Sequence, residues 1–178
     1  MKFNKNILTI FVTLAFIFAL NLTAEAQKRR TKPKKKRTTA TKTINTNALD
    51  IRTNAEKVST QIKNVTKFIY VLGGIARGIE DIDAVARTGR ASREVVRKNN
   101  GFKQDVIVSI RNLRAGLAAL EVEFKTKPAL RNYLFNIQGI TDLSGQAEDL
   151  ALAGRFTDSG KSLLLVVEKL SDTLAAMP

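Results

Sequence analysis

From Ile44 to Leu72, apolar residues return at alternating intervals of four and three, and that rhythm constrains the chain more than any other feature. Ile44, Ala48, Ile51, Ala55, Val58, Ile62, Val65, Ile69 and Leu72 make a seam of about four heptads. The spacing puts all nine side chains on one stripe of an α-helix, whereas a strand would scatter them over both faces. A helix so patterned must bury its stripe against a partner strand or inside a bundle. With Ala48, Ala55, Ile62 and Ile69 at the a positions, the g positions hold Asn47, Asn54, Gln61 and Phe68, and the e positions Asn45, Arg52, Ser59 and Thr66. Charged e/g pairs that would select a partner strand are almost missing. The seam is therefore assigned to a bundle core in preference to a homodimeric coiled coil.

Gly73-Gly74 is expected to interrupt this helix, with Ile75, Ile79 and Ile82 resuming the spacing to about Val85. Residues 87–100 carry Gly89 and Asn99-Asn100-Gly101 as breakers, and their pattern specifies no element. Phe102, Val106, Ile110, Leu113, Leu117, Leu120 and Phe124 predict a second helix. Pro128 suits the first turn of a third, near a cap at Thr126 or Lys127. That helix carries Leu130, Leu134, Ile137, Ile140, Leu143, Ala147 and Leu150. Thr157 or Asp158 can cap a fourth, with Leu163, Val167, Leu170 and Leu174 as its buried stripe. Aromatics are only 6% of residues, and nothing alternates with period two for long. The expected fold is all-α, an antiparallel four-helix-bundle-like domain over residues 44–178. Gly116, set among Ala115, Ala118 and Ala119, costs about 1 kcal/mol in a helix, so close approach of a neighbour is expected there.

The first 43 residues read differently. Lys2 and Lys5 precede an apolar run over residues 7–20, and Ala24-Glu25-Ala26 offers a small-x-small cleavage site before Gln27. That order matches a secretory signal peptide over residues 1–26, cut between Ala26 and Gln27. Residues 27–43 are a Lys/Arg/Thr-rich stretch without an apolar anchor, expected to be a disordered, extended linker. Positive charge just after an apolar segment tends to stay cytoplasmic, which by itself would make residues 7–22 an uncleaved reverse anchor that leaves the domain inside. The apolar run is shorter than the roughly 20 residues that span a bilayer, which argues for cleavage. Export, periplasmic or secreted, is the leading expectation, and a membrane-anchored form is the alternative.

Composition removes several chemistries. Cysteine, histidine and tryptophan are absent, so disulfides, thiolate metal sites and the usual neutral-pH general base are missing. Carboxylates cluster at Glu80-Asp81-Asp83, Glu121/Glu123 and Glu148-Asp149. Acid/base work needs two of them converging in a cleft with separated pKa values, and hard-cation binding needs a ligand-spaced loop. Neither is visible, so solvated helix faces are the expectation. Residues 154–162 read G-R-F-T-D-S-G-K-S, but a phosphate loop has four residues between its glycines, and here five intervene. No cofactor, metal site or catalytic residue is nominated.

The formal charge of +14 divides as +1 over residues 1–26, +9 over residues 27–43 and +4 over the rest. The candidate anionic-surface-binding residues are therefore Lys28, Arg29, Arg30, Lys32, Lys34, Lys35, Lys36 and Arg37, with no acid among them. A secondary basic patch is read at Arg90, Arg93, Arg97 and Lys98, within a wider run that includes Arg87, Lys103, Arg111 and Arg114. Complementary faces meeting inside the bundle are the simpler explanation of that run. The partners expected are an anionic membrane or envelope polymer and another protein through a helix face. The leading function is an exported, non-enzymatic, envelope-associated structural or interaction module. Non-specific nucleic-acid binding by the same tail is the first alternative, and a carboxylate-dependent enzyme the second.

Overall fold

The heptad seam folds as part of one rod. The computed structural model describes residues 39–178, with side chains from Thr46 onward. In it, α1 (Thr39–Arg87) is a single helix of 49 residues, about 74 Å at 1.5 Å per residue. It starts five residues before Ile44, inside the stretch expected to be linker. The buried side chains are Asn54, Val58, Val65, Phe68, Leu72, Ala76 and Ile79, while Ile62 and Ile69 are half-buried and Ala48 is exposed. The d positions Val58, Val65 and Leu72 thus centre the stripe, with a residues on one flank and the g residues Asn54 and Phe68 on the other. A three-position stripe is the face of a bundle helix rather than a two-stranded seam.

The expected break at Gly73-Gly74 does not occur. Gly73, Gly74 and Gly78 are helical and exposed, and none has positive φ. Leu72, Ala76 and Ile79 are buried between and beside them, and that packing outweighs the propensity cost of about 1 kcal/mol per glycine.

The turn after α1 is built on Gly89, with φ 72°. α2 (Arg93–Thr126) follows, and the Ser92 hydroxyl caps it by accepting the Val95 N–H at 3.3 Å. Asn99-Asn100-Gly101 lies inside this helix and does not end it. Asn99 is buried, and its amide donates to the Ile79 carbonyl at 3.1 Å and to Asp83 Oδ1 at 2.8 Å. A residue that reads as a breaker is here a polar tie between α1 and α2. The expected stripe of α2 is buried from Val106 to Phe124, with Phe102 half-buried.

The single third helix expected from Leu130 to Leu150 is divided. A 3-10 helix (Pro128–Tyr133) leads into the short α3 (Leu134–Ile137), and Gly139, at φ 90°, turns the chain into α4 (Ile140–Leu152). Gly154, at φ 77°, then opens α5 (Phe156–Ala176). Thr157 and Asp158 fall inside α5 rather than capping it, and Arg155, at the N-cap, supplies no side-chain cap. The buried face of α5 is Phe156, Ser159, Ser162, Leu163, Val166, Leu170 and Thr173. Val167 and Leu174 sit at its edge.

Each long element packs on two others: α1 on α2 and α5, and α4 on α2 and α5. Short turns make successive helices antiparallel, so the described residues form an all-α, bundle-like domain. Phe124, Phe156, Leu72, Ile110, Leu113, Leu117, Leu163 and Leu170 fill its core. Gly116 approaches α1 through a side chain, since a Cβ there would lie 3.1 Å from Gln61 Nε2.

A Cβ at Gly74 or Gly78 would meet nothing within 4 Å. Gly74→Ala and Gly78→Ala should therefore each stabilise the fold by about 0.5–1 kcal/mol, read as a higher Tm by circular dichroism. A lower Tm for either would show that α1 needs its glycines there.

Candidate functional site

With histidine and cysteine absent, the acidic clusters are the first candidates for acid/base chemistry. Glu121 projects from the last third of α2 toward the start of α4, where Gly139 offers no side chain to cap the helix. Its Oε1 accepts the Gly139 N–H at 3.2 Å. Its Oε2 accepts the Thr141 N–H at 3.1 Å and the Thr141 hydroxyl at 2.6 Å. Lys125 pairs with it at 2.9 Å, and the residue is 4% exposed. Burial pushes its pKa up, but the Thr141 hydroxyl, Lys125 and the two backbone N–H groups outweigh burial and bring it down to about 2.

Glu80 repeats the device on α5. Its Oε1 accepts the Thr157 N–H at 2.8 Å and its Oε2 the Thr157 hydroxyl at 3.0 Å. Orphan N–H groups at a helix start are thereby satisfied from a different helix, with the charge on the side that the helix dipole favours.

The remaining clustered acids neutralise cations. Glu148, 6% exposed, accepts Arg111 Nε at 2.9 Å and Arg114 Nη1 at 3.1 Å. The hydrogen bond from Arg111, against burial and helped by Arg114, holds its carboxyl below the usual range. Asp83 binds Lys103 at 2.9 and 3.0 Å. Glu123 joins Lys57 to Lys127; burial pushes its pKa up, but hydrogen bonds from the two lysines outweigh burial and hold it below the ordinary value. The expectation of solvated acidic faces is therefore corrected at Glu80, Asp83, Glu121, Glu123 and Glu148, which are structural bonds. Asp81 and Asp149 are exposed.

Residues 154–162 are likewise occupied. Arg155 and Lys161 both reach Asp158, Thr157 reaches Glu80, and the Ser159 hydroxyl donates to the Ala147 carbonyl at 2.7 Å. Ser162 donates to Gln146 Oε1 at 2.9 Å. Each polar side chain of this run that could face a phosphate has a protein partner instead.

One open groove of about 500 Å³ lies between α1 and α2. Thr53, Thr60 and Gln61 line one side, Gly116, Ala119 and Leu120 the other, and the Lys57–Glu123 pair bridges it. The groove brings no two free carboxylates together. Among the described residues, no group of acids is arranged to hold a metal ion.

The basic run divides in two. Lys103, Arg111 and Arg114 are drawn to Asp83 and Glu148, as complementary faces would be. Arg87, Arg90, Arg93 and Arg97 gather at the α1–α2 turn, all exposed, with no carboxylate among the described residues within 4 Å. Lys98 sits beside them but pairs with Glu94 at 2.8 Å, and its hydrogen bond lowers the Glu94 pKa. The tail residues Lys28, Arg29, Arg30, Lys32, Lys34, Lys35, Lys36 and Arg37, and the Ala26–Gln27 junction, lie outside the described residues. Among the described residues, no helix is long and apolar enough to cross a membrane.

No protein-family model, no curated protein and no solved structure matches the chain.

Glu121 has a depressed pKa in the fold, so its contribution is complete above about pH 4.5 and is lost as pH falls toward 2. A drop from 4.5 to about 2 corresponds to roughly 3 kcal/mol. Glu121→Gln should lose up to about that much at pH 7, and the gap to the parent should close toward pH 2, in urea titrations at stepped pH. Equal stability of the two proteins at pH 7 would show that the α4 cap contributes nothing.

Proposed function

We propose that this is an exported, non-enzymatic helical protein, held at anionic envelope surfaces by the cations of residues 28–37 while its bundle serves as a protein-contact scaffold. The observation that carries the reading is the fate of the acids. In a chain without histidine or cysteine, acid/base work would fall to carboxylates, lysine, tyrosine or serine, and the clustered carboxylates are the first of these to weigh. Glu80 and Glu121 cap helices, while Asp83, Glu123 and Glu148 hold cations.

The tail supports the adhesive half of the reading. Eight cations within residues 28–37 face no acid in that stretch. Near an anionic lipid surface each is worth about 1 kcal/mol at best, so their sum suffices for retention at low salt and fades as salt screens it. The tail has no aromatic residue, which removes base stacking as a source of affinity.

Two measurements test this. Intact mass of the protein from fractionated cells should give a chain beginning at Gln27 in an exported fraction; a chain retaining Met1 or Lys2 in the cytosol would contradict export. Replacing the eight tail cations by glutamine in the full chain should abolish most binding to phosphatidylglycerol vesicles at about 0.1 M salt. Undiminished binding would remove the tail from the account, and tight binding to duplex DNA without vesicle binding would replace the envelope by nucleic acid.

A further inference from the structure

The folded domain has a charge excess of its own, and one short segment carries as much net charge as the whole. Residues 87–98 hold five cations and one carboxylate, whereas the rest of residues 44–178 holds fourteen of each. The α1–α2 turn and the first turns of α2 thus carry +4, as much as the whole domain. Elsewhere an excess of +3 over residues 99–139 is offset by −3 over residues 140–178. Four of the five cations are arginines, and those four, Arg87, Arg90, Arg93 and Arg97, are the exposed ones without a carboxylate within 4 Å among the described residues.

Among the described residues, no ion pair accounts for these four. Arg93 stands in the first turn of α2, where the helix dipole disfavours a cation, and like charges repel along the turn. The turn is also exposed, at residues 87–90, 92–94 and 97–98. Asp83 is level with the α4–α5 turn, since a Cβ on Gly154 would lie 3.9 Å from Asp83 Oδ2. Residues 84–98 therefore project past it as the tip of a hairpin. Arg93 and Arg97, four apart on a helix, are neighbours on one face, and Arg90 folds back on the end of α1 through its N–H to the Val85 carbonyl.

We infer that this tip is a second docking surface, fitted to the phosphate groups of an anionic lipid surface. Guanidinium groups match phosphate oxygens in pairs, which ammonium groups do not, and the tip is arginine-rich where the tail is mostly lysine. The tip has no aromatic side chain to stack on bases. It does present Val85, 46% exposed, an apolar residue suited to the headgroup boundary. These features favour lipid over nucleic acid. The inference deepens the proposed function and rests on its premise that the protein meets an anionic membrane.

The test uses the full chain in four forms: parent, the triple substitution Arg90→Gln, Arg93→Gln and Arg97→Gln, the eight-glutamine tail variant, and the two combined. Binding is measured to phosphatidylglycerol-containing vesicles at about 0.1 M salt, with phosphatidylcholine vesicles and duplex DNA as controls. The triple variant should lose up to about a hundredfold in affinity for the anionic vesicles in either tail background, with unchanged helicity and a Tm no lower than its parent's. Unchanged affinity in both backgrounds overturns the inference while leaving the tail's role intact. Full binding by the tail variant, lost only on adding the triple substitution, removes the tail and upholds the tip. Tip-dependent binding to DNA with none to vesicles overturns the assignment to lipid.

Discussion

The amino termini of α4 and α5 have no side chains of their own to cap them, and the bundle depends on the long helices α1 and α2 to supply what is missing. Gly139 and Arg155 stand where a serine or aspartate would usually accept the first N–H groups. Glu121 on α2 and Glu80 on α1 reach across and do so. Each bond fixes the axial position of a short helix against a long one, which apolar packing, being non-directional, does poorly. The Ser159–Ala147 bond ties α4 to α5 in the same way.

This use of the carboxylates shapes the rest of the surface. Acids committed to capping leave Asp83, Glu148 and Glu123 to compensate cations in the middle of the domain. The far end of the α1–α2 hairpin receives only Glu94, which Lys98 holds. Cations are thus paired with acids where these helices meet, and four arginines are left unpaired where the chain turns back. A protein built this way has its clustered acids committed to structural bonds and its unpaired arginines exposed at the α1–α2 turn.

Much of the fold was legible in the chain because apolar periodicity reports burial directly. The seam of α1 and the stripe of α2 from Val106 to Phe124 show this. The failures share a cause, which is tertiary contact overriding local preference. Gly73-Gly74 stays helical because Leu72, Ala76 and Ile79 are packed, and Asn99 stays helical because its amide bonds α1. The stripe of α5 was displaced because Ser159, Ser162 and Thr173, polar by type, face the core with their hydroxyls bonded. Gly139 divided the expected third helix at a φ of 90°, whereas Gly145 stays helical, and residue type alone does not tell the two apart. For the candidate site, Arg90, Arg93, Arg97 and Lys98 were readable as a cluster. What the chain could not reveal was which neighbours would be neutralised, since Arg111 and Glu148 lie 37 residues apart. The caps from Glu80 and Glu121 were equally hidden, for they join residues 77 and 20 positions apart.

The central claim is that the bundle's buried acids are structural bonds rather than reactive groups. Carbon-detected NMR titration of the glutamate carboxyls reads this at the atoms concerned. Glu121 should titrate near 2, and Glu148 below the ordinary carboxylate range. A midpoint for either at or above the ordinary value of about 4.3 would contradict the account and point instead to an acid poised for proton transfer.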